Sequence, residues 1–185
     1  MLYTNSLNVL SPGDICFYLS FSKIVPNSTL EKFAHNLVVH ESDLPSGKGW
    51  SPLTWQILQG KSDVPVVLFE AVEKVDAGRI YYRGDLLFNG DELLSEMRKS
   101  QGNITIELCR RAVNEFNDLN QIGLEQSGEE TYFPKRRPPD SRLNSDKTLR
   151  EQFDLLRVVD NDRYPAFFEI NGLRYELKIE KIHQM

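Results

Sequence analysis

Four short apolar runs dominate the first half of the chain: ICFYLSF (15–21), NLVVH (36–40), VPVVLFEAV (64–72) and RIYYRGDLLF (79–88). Runs of this length, rich in β-branched and aromatic residues, read as strands, and ICFYLSF is apolar enough to be buried on both faces of a sheet. What lies between them reads as helix or turn. Ser28 with Glu31 has capping-box spacing, so a helix is predicted to start within NSTLEKFAHN. Pro52 suits the first turn of a helix PLTWQILQG that stops on Gly60. Strands alternating with helices predict an α/β fold with a parallel or mixed sheet.

The second half is organised differently. From Gly90 onward, Leu93, Leu94, Met97, Ile104, Leu108, Ala112 and Phe116 form a helical stripe, with Gly102 a weak point. Residues 119–131 are polar and contain glycine, which reads as a connection, and YFPKRRPPDSRLNSD is too proline-rich for a helix. A helix KTLREQFDLLRVV is predicted next, with Asp146 or Ser145 as N-cap. Asn171-Gly172 within AFFEINGLRYELKI is a strong hairpin signal. The first 13 residues supply neither a convincing strand nor a crossover helix, so the sheet is expected to lack its usual opening βαβ elements.

Composition narrows the partners. Among 185 residues, 22 Lys and Arg face 27 Asp and Glu, a formal net charge of −5. An acidic chain without a basic block is ill suited to sequence-independent nucleic-acid binding, which depends on neutralising phosphates. A local basic site for one or two phosphates remains compatible with it. Cys16 and Cys109 stand alone and read as reduced core thiols. The start lacks the pattern of a signal peptide, and no apolar run approaches the roughly 20 residues that span a bilayer. A cytoplasmic protein is expected. Three histidines without clustered ligands predict no metal.

The stretch NLVVHESDLPSGKGWSP (36–52) holds the densest chemistry. His40 closes the second strand, and Asp76 follows the third in EKVDAGRI. Ligands of open α/β sheets bind at the carboxyl ends of strands, so both residues are expected to face one cleft. A carboxylate beside a histidine is an acid–base pair; separately, a strand-end histidine and a turn aspartate also have plain structural uses. SGKGW reads either as a loose anion cradle or as a tight turn before a helix. Ser42 and Ser51 have no base placed in sequence to make either a nucleophile.

Taken together, NLVVHESDLP, GKGWSP, TWQIL and VDAG resemble the folate-dependent formyltransferases, a family that includes methionyl-tRNA, glycinamide ribonucleotide and sugar-nucleotide N-formyltransferases. His40, Ser42, Leu44, Pro45, Gly49, Pro52, Asp76 and Gly78 fall in step with the family pattern, and the resemblance runs over about residues 14–175. It implies a Rossmann-type, mostly parallel sheet, a catalytic core over 1–120, and a C-terminal extension over 121–185 with a helix and a β-hairpin. It implies 10-formyltetrahydrofolate as donor and an amine as acceptor. His40 would stabilise the oxyanion or move the amine proton, and Asp76 would hold and charge-balance it. Phe21, Ser22, Lys23 and Ile24 would border the pterin on one side, Val72 and Val75 on the other. Ser42, Gly49, Trp50, Lys135 and Arg136 would meet the acceptor. One departure stands out: the family asparagine two residues before the histidine is Val38 here, and Asn36 is roughly 13 Å from His40 along the strand.

Within that family, the acidic chain disfavours tRNA. The PKRRPPDS segment is closer to the sugar and tRNA branches than to the purine-pathway enzyme. The resemblance therefore implies a nucleotide-linked 4-amino-4-deoxy sugar, as used in glycan biosynthesis, with Lys135, Arg136 and Arg137 near its diphosphate. The terminal hairpin, with an apolar face read as Phe167, Ile170, Leu173 and Tyr175, would make a homodimer. The competing readings are a non-catalytic folate- or nucleotide-binding remnant and a methionyl-tRNA or other amine formyltransferase.

Overall fold

The computed structural model describes residues 2–182; His183 lies outside them. In chain order the elements are β1 (Gly13–Phe17), α1 (Asn27–Leu30), β2 (Phe33–His40), β3 (Lys48–Gly49), α2 (Pro52–Leu58), β4 (Asp63–Glu70), β5 (Ile80–Leu87), α3 (Leu94–Asn114), α4 (Leu119–Ile122), β6 (Tyr132–Phe133), α5 (Phe153–Arg157), β7 (Ala166–Ile170) and β8 (Leu173–Leu177). The expected α/β class is found. The main sheet is four-stranded, in the order β1-β2-β4-β5.

Its pairing corrects one expectation. The sheet is mixed: β1 and β2 are parallel, while β2–β4 and β4–β5 are antiparallel. The cause lies in the connections. After His40 the chain stays at that end of the sheet, because Gln56 of α2 donates to the Glu41 carbonyl at 2.5 Å. It therefore re-enters as β4 from the end at which it left. β4 and β5 are then joined by the helix-free loop 71–79, which makes a hairpin-like pair.

One face of this sheet carries the main core. Leu37, Val64, Val66, Leu68, Tyr82 and Leu86 pack with Met97, Leu108 and Ala112 of α3. The helix runs unbroken through Gly102 and delivers the expected stripe. The opposite face carries a smaller cluster of Leu44, Val67, Phe69 and Ile80, with Val38 against it. His40 is opposite Val67 and Val38 opposite Phe69, so this second face is the one that carries His40.

Two predicted helices are largely replaced. The first is a single turn with Pro26 as N-cap, and Phe33–Asn36 belong to β2 because they pair with Gly13–Cys16 of β1. The second is helical only over Phe153–Arg157. Ahead of it, Thr148 N–H donates to Glu151 and Gln152 Nε2 donates to the carbonyls of Asn144, Lys147 and Thr148. Those side-chain bonds compete with helix propagation. The hairpin is as expected, with Asn171 (φ 52°) and Gly172 (φ 77°) both left-handed. Its apolar face needs one correction: cross-strand pairs Phe168–Tyr175 and Ile170–Leu173 share a face, and Phe167, one residue out of phase, is buried on the other. Both cysteines are free and half-buried.

Candidate functional site

His40 is buried, with its ring edge-on to Phe69 at 6.4 Å between centroids. Its Nε2 is 2.9 Å from the carbonyl oxygen of Gly47. A carbonyl oxygen only accepts, so Nε2 carries the hydrogen. No hydrogen bond to Nδ1 is found among the described residues, so Nδ1 is the nitrogen left to accept a proton from elsewhere.

Asp76 occupies loop 71–79 with a left-handed backbone (φ 51°). Its Oδ2 accepts the Gly49 N–H at 2.9 Å. The carboxyl ends of β2 and β4 lie at opposite ends of the sheet, because the two strands are antiparallel. The strand-end argument therefore does not explain how the two residues meet. They meet because loop 71–79 folds back onto the turn that His40 already holds: His40 grips it at Gly47, Asp76 at Gly49.

That turn has no room for a side chain at Gly47 or Gly49. Gly49 has φ 98°, and a Cβ there would come within 2.5 Å of the Phe133 oxygen. The closeness follows from the two-residue pairing of β3 with β6, extended by Lys48 N–H to Thr131 O (2.9 Å) and Trp50 N–H to Phe133 O (3.1 Å). Gly47 N–H donates to Thr131 Oγ1 at 2.8 Å. The Lys48 side chain is only 1% exposed and pairs with Glu130 at 2.8 Å. Glu130 also takes Lys74 at 2.8 Å and the Tyr132 hydroxyl at 2.9 Å. These three donors hold its carboxyl down to about 2.

The remaining predicted residues divide by exposure. Ser42 is 2% exposed beneath Gly47, and its hydroxyl has no hydrogen-bond partner among the described residues. Trp50 is part-exposed, with the Lys135 ammonium 4.6 Å from its ring centroid. Arg136 is 6.0 Å from the Trp55 ring centroid and donates to the Asp140 carbonyl at 2.9 Å, while its Nε is buried without a partner among the described residues. Arg137 faces Asp140 through its backbone N–H. Phe21 is half-buried near Tyr18, whereas Ser22, Lys23 and Ile24 are exposed on the loop after β1. Val72 and Val75 are exposed on loop 71–79. Both loops leave the sheet at the level of Leu37, which pairs with Phe17 on one side and Glu70 on the other.

Asn36 does not stand in for an asparagine at position 38. Its side chain accepts from the Tyr18 hydroxyl (2.9 Å) and donates to the Leu30 carbonyl (2.9 Å). The sequence reading also missed several residues. Gln126, Glu130 and Thr131 fall in a stretch read as a connection, yet all three bind the turn or loop 71–79. Glu41 was passed over too: it is buried next to His40, burial pushes its carboxyl up, and Gln101 donates to it at 2.6 Å. Among the described residues no three His, Cys, Asp or Glu gather to hold a metal, and no helix is long and apolar enough to cross a membrane.

No family model matches the chain. It is 24% identical over 156 residues to the methionyl-tRNA formyltransferase of Thermodesulfovibrio yellowstonii, a match covering 84% of this chain and 50% of that protein. The chain thus spans about half the length of the curated relative it matches. Among solved structures it is similar to methionyl-tRNA formyltransferase from Clostridium thermocellum, with TM-score 0.70, 27% identity, and 90% of this chain and 72% of that one covered. It shares the fold of HypX from Aquifex aeolicus in complex with tetrahydrofolic acid (TM-score 0.75, 18% identity, 90% and 29% covered). It also shares that of a sugar N-formyltransferase from a Shewanella species (TM-score 0.66, 17% identity, 93% and 71% covered). The resemblance to formyltransferases carried by the sequence motifs is matched by these relatives.

Proposed function

We propose that this chain, whose fold and sequence relationships are those of formyltransferases, transfers a formyl group from 10-formyltetrahydrofolate to the amine of a nucleotide-linked 4-amino-4-deoxy sugar. The observation that carries the reading is the shared turn: His40 and Asp76, from separate elements, both hold residues 47–49. The residues on either side suit the donor. Ile24, Val72 and Val75 are exposed apolar side chains on the two loops leaving the sheet at Leu37, as a flat pterin with apolar faces requires. When bound, the donor supplies an activated formyl carbon.

The chain's own groups then have defined tasks. Nε2–H of His40 is committed to Gly47, so Nδ1 takes the proton that leaves the attacking amine as the new C–N bond forms. The doubly protonated ring donates from Nδ1 to the developing oxyanion and then returns that proton to the folate N10 as the C–N10 bond breaks and tetrahydrofolate leaves. Asp76 accepts the Gly49 N–H and so fixes the turn that His40 grips at Gly47. It acts through the turn, not by a direct bond to the ring. Trp50 and Lys135 offer a flat face with a cation above it, and Arg136 a part-buried guanidinium, for a nucleoside diphosphate. The test is release of tetrahydrofolate with a panel of UDP- and dTDP-4-amino sugars, beside His40→Ala and Asp76→Ala. Turnover lost in both variants supports the reading. Turnover only with methionyl-tRNA moves the acceptor to the class named in two of the relatives.

A second reading has its own observation. β1 is an edge strand whose one partner among the described residues is β2. A sheet open at that edge fits a folate- or nucleotide-binding module without catalysis. Folate binding with no turnover on any acceptor would favour it.

A further inference from the structure

Segment 123–133 runs from loop 71–79 to the glycine turn and is bonded to both. At one end Ile80 and Leu124 exchange backbone hydrogen bonds at 2.8 and 2.9 Å, and Arg79 donates to the Gly123 carbonyl. At the other, Thr131 and Phe133 hold Gly47, Lys48 and Trp50 as described above. Between them, Gln126 Nε2 donates to two carbonyls of loop 71–79, those of Asp76 (3.0 Å) and Gly78 (2.8 Å). One amide group therefore pins the backbone on both sides of Ala77. Gly78 is pressed against the Glu70 carbonyl so closely that a Cβ would overlap it. The two grips leave the carboxylate of Asp76 little freedom except toward Gly49.

From this geometry we infer that Gln126 is a positioning residue for formyl transfer, holding Asp76 against the glycine turn by donating to the carbonyls on either side of Ala77. The inference rests on the function proposed above. Gln126 touches no reacting atom; it acts through Asp76. A glutamate in its place would keep the shape but could not donate as a carboxylate, and a methionine would keep the length without any donor.

The test uses the full chain with Gln126→Met and Gln126→Glu. Amide hydrogen exchange at Gly49, whose N–H is held by Asp76, is expected to quicken about tenfold to a hundredfold in both variants, the scale of two lost hydrogen bonds, with β2 and β4 unchanged. In the formyl-transfer assay kcat is expected to fall in both. The double variant Asp76→Asn/Gln126→Met should be no slower than Asp76→Asn alone, because the two substitutions act on one element. Unchanged exchange in Gln126→Met overturns the inference. So does a double variant slowed by the product of the two single effects. If the unaltered protein transfers no formyl group, the proposed function fails, and the exchange measurement still decides whether Gln126 holds the loop.

Discussion

A side chain at position 49 would have to share space with the Phe133 oxygen while adopting a backbone that only glycine enters freely. Gly49→Ala is therefore expected to cost about 1–3 kcal/mol, read from urea unfolding, and to free the loop carrying Asp76. An unchanged unfolding midpoint would show that the turn yields easily. His40→Ala should slow formyl transfer about a hundredfold or more, the range for losing a general acid or base. Val38 makes the opposite kind of prediction. It shares the face of His40 two residues away, where the resembling family places an asparagine. Val38→Asn is expected to raise kcat by adding an oxyanion donor, while lowering stability by about 1–3 kcal/mol through a polar group set against Leu44, Val67 and Phe69. A lower kcat with intact folding would mean that the oxyanion is already served elsewhere.

At the scale of elements, the strands and α3 were legible because short β-branched runs and an apolar stripe depend on local pattern alone. The antiparallel entry of β4 was not, since it depends on Gln56 reaching the Glu41 carbonyl across a loop. His40 and Asp76 could be named from motif spacing, but the way they meet could not. Gln126, Glu130 and Thr131 had no periodicity to mark them, because their partners are distant in sequence. The Glu130 cluster makes segment 123–133, a strap across loop 71–79 and the glycine turn, sensitive to acid. Lys48, Lys74 and Tyr132 lower its carboxyl from 4.5 to about 2, so its contacts contribute fully above 4.5 and are lost as the pH falls toward about 2. Removing the charge with Glu130→Gln should lower the urea midpoint at pH 6, and the gap to the unaltered protein should narrow as the pH falls to 3. A gap independent of pH would remove the carboxylate from the account.

For the whole molecule, the division into a catalytic core over 1–120 and an extension over 121–185 is proposed as a division of labour, and the strap shows what it implies for folding. Residues 1–120 contain His40, Asp76 and the glycine turn, but not Gln126, Glu130, Thr131 and Phe133, which tie the turn and loop 71–79 from outside. Without Glu130 the Lys48 ammonium, 1% exposed in the intact chain, keeps no anionic partner in the turn. Without Thr131 and Phe133 the N–H groups of Gly47, Lys48 and Trp50 lose their acceptors, and without Gln126 loop 71–79 loses its two side-chain bonds. Each lost partner leaves a polar group to find water or remain unsatisfied. The main core also loses Val158, which comes from beyond residue 121. A chain ending at residue 120 is therefore expected to keep helical and sheet signal in far-ultraviolet circular dichroism but to unfold in urea without a sharp transition. Its amides at 47–50 should exchange as fast as those of an unfolded chain. Cooperative unfolding with those amides protected would mean that the core organises the site unaided, and that the strap merely rests on it.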